Sequence, residues 1–177
     1  MSKLPKVGTS IFSVMSQLAY EYQAINLSQG FPNFSIDERL KNIQEQVVKD
    51  GLANQYCPMA GLPSLLNQVQ QTIKSSYQKD VEVSDELLIT AGATQAIYTI
   101  MQALVNVGDT VVILDPCYDC YDPAIVMAGG IAQHISLNND YTPNWELIDA
   151  SINSKTKCLI INNPHNPSGR IWTLSDF

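Results

Sequence analysis

The sequence lacks the features that mark several large classes of protein. Its 177 residues include only two histidines and four cysteines, and 17 acidic residues outnumber 10 basic ones. The formal net charge of −7 argues against nucleic acid or an anionic membrane surface as a partner. No apolar run approaches membrane-spanning length, and the first six residues lack the apolar core of a signal peptide. We therefore expect a soluble, cytoplasmic protein that binds neither nucleic acid nor membrane.

The cysteines do not form a framework for disulfides or metal. Cys57 and Cys158 stand far apart in otherwise globular sequence, so a disulfide-based fold is not expected. Cys117 and Cys120 form a C-x-x-C pair, but a zinc site needs a second such pair or more histidines. A redox pair also fits this spacing. We interpret both residues as small side chains that are buried or lie in a loop, and expect no metal site.

The stretch from Leu87 to Leu104 combines a predicted strand with a predicted helix. Leu87 to Thr90 is a continuous apolar run, which is typical of a strand covered on both faces. After the turn-forming Gly92, apolar residues recur at helical spacing, at Ile97, Ile100, Met101 and Leu104. The pattern predicts a strand, a tight turn and a helix.

The start of this predicted helix favours an anion. The backbone N–H groups of Ala93, Thr94 and Gln95 have no partners inside the helix. Together with the helix dipole and the Thr94 hydroxyl, these donors predict a site that suits a phosphate. An ordinary strand-to-helix connection is the alternative that this stretch alone leaves open.

The rest of the chain predicts helices first and then alternating strands and helices. Early helices are predicted to start at Ser10, Asp37 and Pro63, and the second of them to end at Gly51. Further strands are predicted at 110–115, 131–137 and 157–162, with helices at 125–128 and 145–152 and the beginning of a helix at 174–177. Such alternation predicts an α/β fold with a mostly parallel sheet between two layers of helices.

Polar loops follow the predicted buried strands, at 92–95, 116–121 and 163–169. In open α/β sheets, ligands bind at the carboxyl ends of the strands. We therefore expect Thr94, Tyr118 and Asn166 to converge on one pocket. A phosphate holder, a flat aromatic ring and an amide suit a phosphorylated planar ring as ligand.

A series of motifs resembles one enzyme family. The motifs NLSQGFPNF, NQYCPMAGLPSL, TAGATQAI, ILDPCYDCYDP and NNPHNPSG occur in this order between Ile25 and Phe177. They resemble the N-terminal part of pyridoxal-phosphate-dependent aminotransferases of fold type I, classes I and II, and most of all the branch of methionine and kynurenine aminotransferases. The resemblance implies an N-terminal arm with a segment of the small domain at 1–35. It also implies an incomplete large domain, the N-terminal half of the cofactor-binding domain, at 36–177.

The resemblance also implies a cofactor and its binding residues. Ala93, Thr94 and Gln95 would hold the phosphate of pyridoxal 5'-phosphate, chiefly through backbone N–H groups. The Tyr118 ring would stack on the pyridine ring. Asn166 would donate a hydrogen bond to the cofactor's ring oxygen and so tune its electronics.

Further residues of the motifs concern the substrate and a partner subunit. Gly30 would offer its backbone to the substrate α-carboxylate, where a side chain would obstruct it. Tyr56 would reach the phosphate bound in the partner subunit, which implies a homodimer with shared active sites. Helical spacing predicts that Leu66 faces inward from the helix that starts at Pro63. It stands where many relatives carry arginine, and we expect this departure to affect the surface of the helix more than the chemistry. The position of His165 varies in the family, and we assign it no role in proton transfer.

The resemblance assigns no catalytic residue to this chain. In the family, the Schiff-base lysine follows a serine by three positions and lies well after the NPHNPSG motif. The strings Ser76–Lys79 and Ser154–Lys157 fit that spacing but precede Asn166, so we reject both. Arg170 cannot replace the carboxylate-binding arginine. We expect the lysine downstream of Phe177, and hence a fragment that is inactive alone and associates through its exposed faces.

The function implied for the whole protein is transfer of an amino group between an amino acid, methionine or an aromatic one, and a 2-oxo acid. A C–S β-lyase of the same fold is one alternative, because holding the cofactor does not decide which bond breaks. A non-catalytic fragment that acts only in binding or dimerisation is another. A nucleotide-binding module is less favoured, since neither G-x-G-x-x-G nor G-x-x-x-x-G-K-[ST] occurs.

Overall fold

The computed structural model of the protein describes residues 4–5, 7–30 and 32–177. Most of the segment examined for a signal peptide, and Phe31 of the first motif, lie outside these residues. The described chain forms two compact units, Gly8–Ile89 and Thr90–Phe177, and the second includes the described residues up to Val7. The division into 1–35 and 36–177 stays a prediction.

The unit Gly8–Ile89 contains four α-helices in its described residues: α1 (Ile11–Glu21), α2 (Glu38–Asp50), α3 (Pro63–Tyr77) and α4 (Val83–Glu86). The predicted starts of the first three are confirmed. The Ser10 hydroxyl accepts a first-turn N–H at 3.3 Å, and the Asp37 carboxylate accepts another at 2.8 Å. Gly51 ends α2 in the left-handed conformation, with φ 67°. The sequence does not predict α4, because four residues are too few to show a helical period.

Leu66 faces inward, as its helical spacing predicts, and this corrects the expectation that its departure from arginine affects the helix surface. It lies in α3 and is only 5% exposed, so it is part of the interior rather than of the helix surface. A Cβ added to Gly61 would stand 3.6 Å from the Leu66 side chain, which shows how closely the preceding loop covers it. The leucine therefore contributes apolar packing at this position.

The unit Thr90–Phe177 alternates helices and strands. Its elements are α5 (Ala93–Leu104), β1 (Thr110–Asp115), α6 (Tyr121–Met127), β2 (Ile131–Ser136), α7 (Trp145–Ser151), β3 (Thr156–Leu159) and a 3₁₀ helix (Leu174–Asp176). The strands form a parallel sheet in the order β2-β1-β3. This confirms the α/β fold with a parallel sheet. β3 is shorter than predicted and ends before residue 162.

The central strand β1 is covered on both faces. Val111 and Ile113 are fully buried against α5 and α6, because alternate side chains of a strand point to the same face. Val112 and Leu114 point the other way and pack against α7 and Trp172. The continuous apolar run of β1 thus matches a strand between two layers of helices. No helix in the described ranges is long and apolar enough to cross a membrane.

The predicted strand Leu87–Thr90 is wrong. Leu87 has an extended backbone, with φ −124° and ψ 134°. However, the Ile89 N–H donates to the Ala60 carbonyl in a loop, at 2.9 Å. A strand requires a ladder of hydrogen bonds with a neighbouring strand, and none of the three described strands pairs with this segment. An apolar run specifies burial but not the partner that makes a strand.

Candidate functional site

The first turn of α5 presents unpaired backbone donors. Gly92 caps the helix with φ 84° and ψ 168°, and the Ala96 N–H donates to the Gly92 carbonyl at 3.3 Å. The N–H groups of Ala93, Thr94 and Gln95 have no acceptor among the residues that the structure describes. These three residues are also exposed. Three unpaired donors at the positive end of a 12-residue helix suit an anion.

Side chains next to these donors hold the turn in place. The Thr90 hydroxyl donates to the Gly92 carbonyl at 3.0 Å. The Gln95 side-chain oxygen accepts the Ala91 N–H at 2.5 Å. The Gln95 side chain is therefore engaged by the turn, and its backbone N–H is the group left for a ligand. A Cβ on Gly92 would meet nothing within 4 Å, so the space in front of the turn is open.

Tyr118 lies beside this turn. It belongs to the loop between β1 and α6, and its hydroxyl oxygen is 3.2 Å from the Thr94 hydroxyl oxygen. The half-buried Tyr118 ring meets the Tyr121 ring edge-on, with centroids 5.9 Å apart and planes at 85°. The structure thus brings together the first-turn donors of α5 and an aromatic ring, two of the three parts that the sequence predicts for one pocket.

The loop that carries Asn166 is held by hydrogen bonds among its own residues and Trp172. The Asn163 side chain accepts the Trp172 N–H at 2.9 Å and donates to the Trp172 carbonyl at 3.0 Å. The His165 Nδ1 is 2.7 Å from the Ser168 hydroxyl oxygen, within the same loop. Asn166 itself is exposed, and its amide makes no hydrogen bond within the described part of the chain. That amide is available to a ligand.

Gly30 and Tyr56 belong to the other unit, Gly8–Ile89. A Cβ on Gly30 would meet nothing within 4 Å, and the Tyr56 residue is fully exposed. Both are open to a ligand or to a second subunit. Their assigned roles stay predictions.

His134 is a site neighbour that the sequence reasoning missed. Its Nδ1 is 2.8 Å from an Asp115 carboxylate oxygen and its Nε2 is 3.6 Å from an Asp122 carboxylate oxygen. The two aspartates stand at the two ends of the Tyr118 loop. The parallel register pairs His134 with Ile113, which places the histidine near the end of β1. The sequence did contain a signal for this contact: a histidine on the predicted edge strand and several aspartates in and around the Tyr118 loop.

The two cysteines of the C-x-x-C pair are protonated thiols. Burial raises the pKa of Cys117 to about 12 and the pKa of Cys120 to about 11, and nearby acidic groups add to the shift. All four cysteines are free. No group of three or more metal-ligating side chains occurs among the described residues. Because the reactive and metal-binding form is the thiolate, these shifts argue against a nucleophilic or metal-binding role.

The lysines of the unit Thr90–Phe177 lie away from the Tyr118 loop. Lys155 and Lys157 stand at the amino end of β3, where Thr156 pairs with Thr110. The Tyr118 loop follows the opposite, carboxyl end of β1. In a parallel sheet the amino ends of all strands lie on one side and the carboxyl ends on the other. Neither lysine is therefore placed to act at the Tyr118 loop.

The chain matches known proteins along its length. A family model described as aminotransferase class I and II matches residues 22–177. The chain is 42% identical to methionine aminotransferase of Escherichia coli (strain K12) over 177 residues, which cover 99% of this chain and 46% of that protein. It is 31% identical to kynurenine–oxoglutarate transaminase 3 of Homo sapiens, covering 96% of this chain and 40% of that protein.

Solved structures agree with these sequence matches. A crystal structure of an Escherichia coli protein with a methionine aminotransferase function superposes with a TM-score of 0.93 at 41% identity, covering 99% of this chain and 46% of the other. N-succinyldiaminopimelate aminotransferase from Mycobacterium tuberculosis gives a TM-score of 0.92 at 30% identity, with the same coverage. The chain spans less than half the length of these relatives and corresponds to their N-terminal part. It belongs to the class I and II aminotransferases.

Proposed function

We propose that this chain forms the cofactor-holding part of an enzyme that transfers an amino group between an amino acid and a 2-oxo acid with pyridoxal 5'-phosphate. The observation that carries the proposal is the contact between the Thr94 and Tyr118 hydroxyl groups, 3.2 Å apart, at the open first turn of α5. The relatives named for methionine and kynurenine favour methionine or an aromatic amino acid as the donor.

The side chains around this turn fit that cofactor. The N–H groups of Ala93, Thr94 and Gln95 and the helix dipole would bind its phosphate. The Tyr118 ring would stack on the pyridine ring, and the unpaired Asn166 amide would donate to the ring oxygen. When bound, the cofactor supplies an electron sink for the carbanion at the α carbon of the amino acid. The residues of this chain anchor and orient that ring.

Gly30 and Tyr56 extend the proposal to the substrate and to a second subunit. The Gly30 backbone would contact the substrate carboxylate, and Tyr56 would contact the phosphate bound in the partner subunit of a homodimer. The unit Gly8–Ile89 exposes many large apolar side chains, among them Leu27, Leu52 and Met59, which are 83% to 98% exposed. Exposed apolar surface of this kind favours association. Light scattering that gives the mass of a monomer would contradict the homodimer.

The whole protein provides the direct test. After reduction with borohydride, mass spectrometry should find one lysine that carries a pyridoxyl group; a protein with none does not use this cofactor. Formation of 2-oxo acid should then require an added amino acceptor. Product that appears without an acceptor would favour a C–S β-lyase instead.

The 177-residue chain alone should hold the cofactor weakly and not transaminate. Lys155 and Lys157 lie at the amino ends of the strands, whereas the Tyr118 loop lies at the carboxyl ends, which supports this expectation. The test is a titration of the purified chain with pyridoxal 5'-phosphate, with an assay for 2-oxo acid formation alongside. Turnover that is abolished by replacing Lys155 or Lys157 would overturn the expectation.

A further inference from the structure

Trp172 is a buried tryptophan to which the proposed function gives no role. The residue is only 3% exposed. Its side chain belongs to the buried group on one face of the sheet, together with Val112 and Leu114 of β1. The Trp172 Nε1–H donates to the Tyr141 carbonyl at 2.7 Å, in the segment that follows β2. Trp172 is therefore fixed against the strand whose carboxyl end leads into the Tyr118 loop.

The loop that carries Asn166 is joined to Trp172 at two points. The Asn163 side chain bonds both main-chain groups of Trp172, the N–H at 2.9 Å and the carbonyl at 3.0 Å. The ring of His165, the residue before Asn166, stacks on the indole, with centroids 5.5 Å apart and planes at 19°. Both contacts tie the chain next to Asn166 to a side chain of the core.

Main-chain hydrogen bonds close the remainder of this loop into a tight turn. The His165 N–H donates to the Arg170 carbonyl at 2.8 Å, and the Gly169 N–H donates to the His165 carbonyl at 2.7 Å. Asn166 lies within this turn, and its exposed amide makes no hydrogen bond in the described part of the chain. The position of the amide therefore depends on how the turn is held, and Trp172 is the buried group that connects the turn to the sheet.

We propose that Trp172 is a positioning residue for the cofactor ring. Through its contacts with Asn163 and His165 it holds the Asn166 turn on the sheet, and so it sets where the Asn166 amide stands relative to the carboxyl end of β1. This rests on the proposed function, in which that amide donates to the ring oxygen. It follows that binding of the ring depends on Trp172. Binding of a phosphate alone, at the start of α5, does not.

Two variants of Trp172 remove its contacts in steps. Trp172→Phe keeps an apolar ring in the core but removes the donor to the Tyr141 carbonyl. Trp172→Leu also removes the flat surface on which His165 stacks. We therefore expect the phenylalanine variant to give an effect between those of wild type and the leucine variant.

Trp145→Leu is the matched control. Trp145 packs against the same buried group as Trp172, and its Nε1–H likewise donates to a main-chain carbonyl, that of Asp176, at 2.5 Å. Its ring meets Phe177, with centroids 5.9 Å apart, rather than a residue of the Asn166 turn. This variant therefore perturbs the same part of the core without removing a contact of the turn.

The first readout is hydrogen exchange of the Gly169 N–H in the 177-residue chain, measured by NMR. The reference is the Ile131 N–H, which donates to the Asp109 carbonyl at 2.8 Å at the amino end of the sheet. Relative to this reference, Trp172→Leu should speed the exchange of Gly169 about tenfold and Trp172→Phe about threefold, because the turn opens more often. Trp145→Leu should leave the ratio within about twofold of wild type. An unchanged ratio in Trp172→Phe and Trp172→Leu overturns the positioning role, and Trp172→Phe alone decides if Trp172→Leu does not fold.

The second readout compares two probes, pyridoxine 5'-phosphate and inorganic phosphate, by titration. The first probe has the ring and the phosphate but no aldehyde, so it forms no imine with lysine. Trp172→Leu should weaken its binding about fivefold and Trp172→Phe about twofold, with binding of inorganic phosphate unchanged in both. Equal loss of both probes overturns the proposal. So does a loss of pyridoxine 5'-phosphate binding in Trp145→Leu as large as in Trp172→Leu.

An Asn166→Ala background tests whether Trp172 acts through the Asn166 amide. In that background, Trp172→Leu should cause no further loss of pyridoxine 5'-phosphate binding, because the group that it positions is already absent. A further loss of about fivefold shows that Trp172 acts by another route and overturns the proposal. A wild-type chain that binds neither probe, or both equally, contradicts the proposed function, and the exchange of Gly169 then decides whether Trp172 holds the turn.

Discussion

Gly92 is the position at which backbone conformation and ligand binding are most directly linked. Its φ of 84° and ψ of 168° lie in a region that essentially only glycine occupies. A Cβ would meet nothing within 4 Å, so a substitution there meets no steric clash with neighbouring residues. Any effect of Gly92→Ala therefore comes from the backbone angles themselves.

The expected cost follows from those angles. Holding alanine in this region costs about 1–3 kcal/mol, and a tenfold change in equilibrium corresponds to about 1.4 kcal/mol. Gly92→Ala should therefore lower the free energy of unfolding by about 1–3 kcal/mol if the turn keeps its shape. If the turn relaxes instead, the N–H groups of Ala93 and Thr94 rotate away from a common centre and phosphate affinity falls. Unfolding in urea, followed by tryptophan fluorescence, and titration with inorganic phosphate measure the two effects.

Gly108→Ala is the matched control. Gly108 has a similar φ of 88° and an equally open surrounding, but it precedes the amino end of β1, whereas the Tyr118 loop follows the carboxyl end. Alanine there should destabilise the fold and leave phosphate affinity unchanged. Our account of the turn is refuted if Gly92→Ala unfolds at the wild-type urea concentration and binds phosphate as wild type does.

Three further substitutions test the fold and the loops. Ile113→Ala should lower the free energy of unfolding in urea by about 2–5 kcal/mol, because Ile113 is fully buried in the central strand. Ile131 is half-exposed on a neighbouring strand, so Ile131→Ala should lower it far less. Equal losses would contradict the sheet order. Asn163→Ala should cost about 2 kcal/mol through its two hydrogen bonds to Trp172, and an unchanged unfolding midpoint would show that they do not hold the loop. Burial lowers the pKa of His165, so the unfolded chain takes up the proton first and stability should fall as the pH drops below about 6.5. The drop in urea midpoint between about pH 7.5 and about pH 5.5 should shrink in His165→Phe, and an equal drop in both proteins would contradict this.

Local signals were enough to predict most of the helices. Caps at Ser10 and Asp37 and a proline at position 63 act within one turn of the helix they start, so their effect does not depend on distant residues. Strand β1 could be predicted equally well from its continuous apolar residues, because a strand covered on both faces is apolar along its length.

The pairing of distant segments could not be predicted from the sequence in the same way. Leu87–Thr90 is as apolar as β1, yet only β1 has strands on both sides in the described chain. The inward position of Leu66 was predicted from helical spacing, but the sequence alone does not show which loop covers it. The convergence of Thr94 and Tyr118 was predicted from the rule that loops meet at the carboxyl ends of the strands, although the segment before Thr94 is not a strand of the sheet. The stacking of His165 on Trp172 could not be predicted, because one histidine within a motif carries no sign of the ring that it packs against.

The two halves of the proposed cofactor site have different physical origins. Phosphate binding would depend on backbone donors at the start of α5, which persist under most side-chain substitutions as long as Gly92 keeps its angles. Orientation of the ring would depend on Tyr118 and Asn166, which lie in two loops far apart in sequence. Substitution of Asn166, whose amide makes no hydrogen bond within the described residues, should therefore weaken binding of the ring more than binding of phosphate.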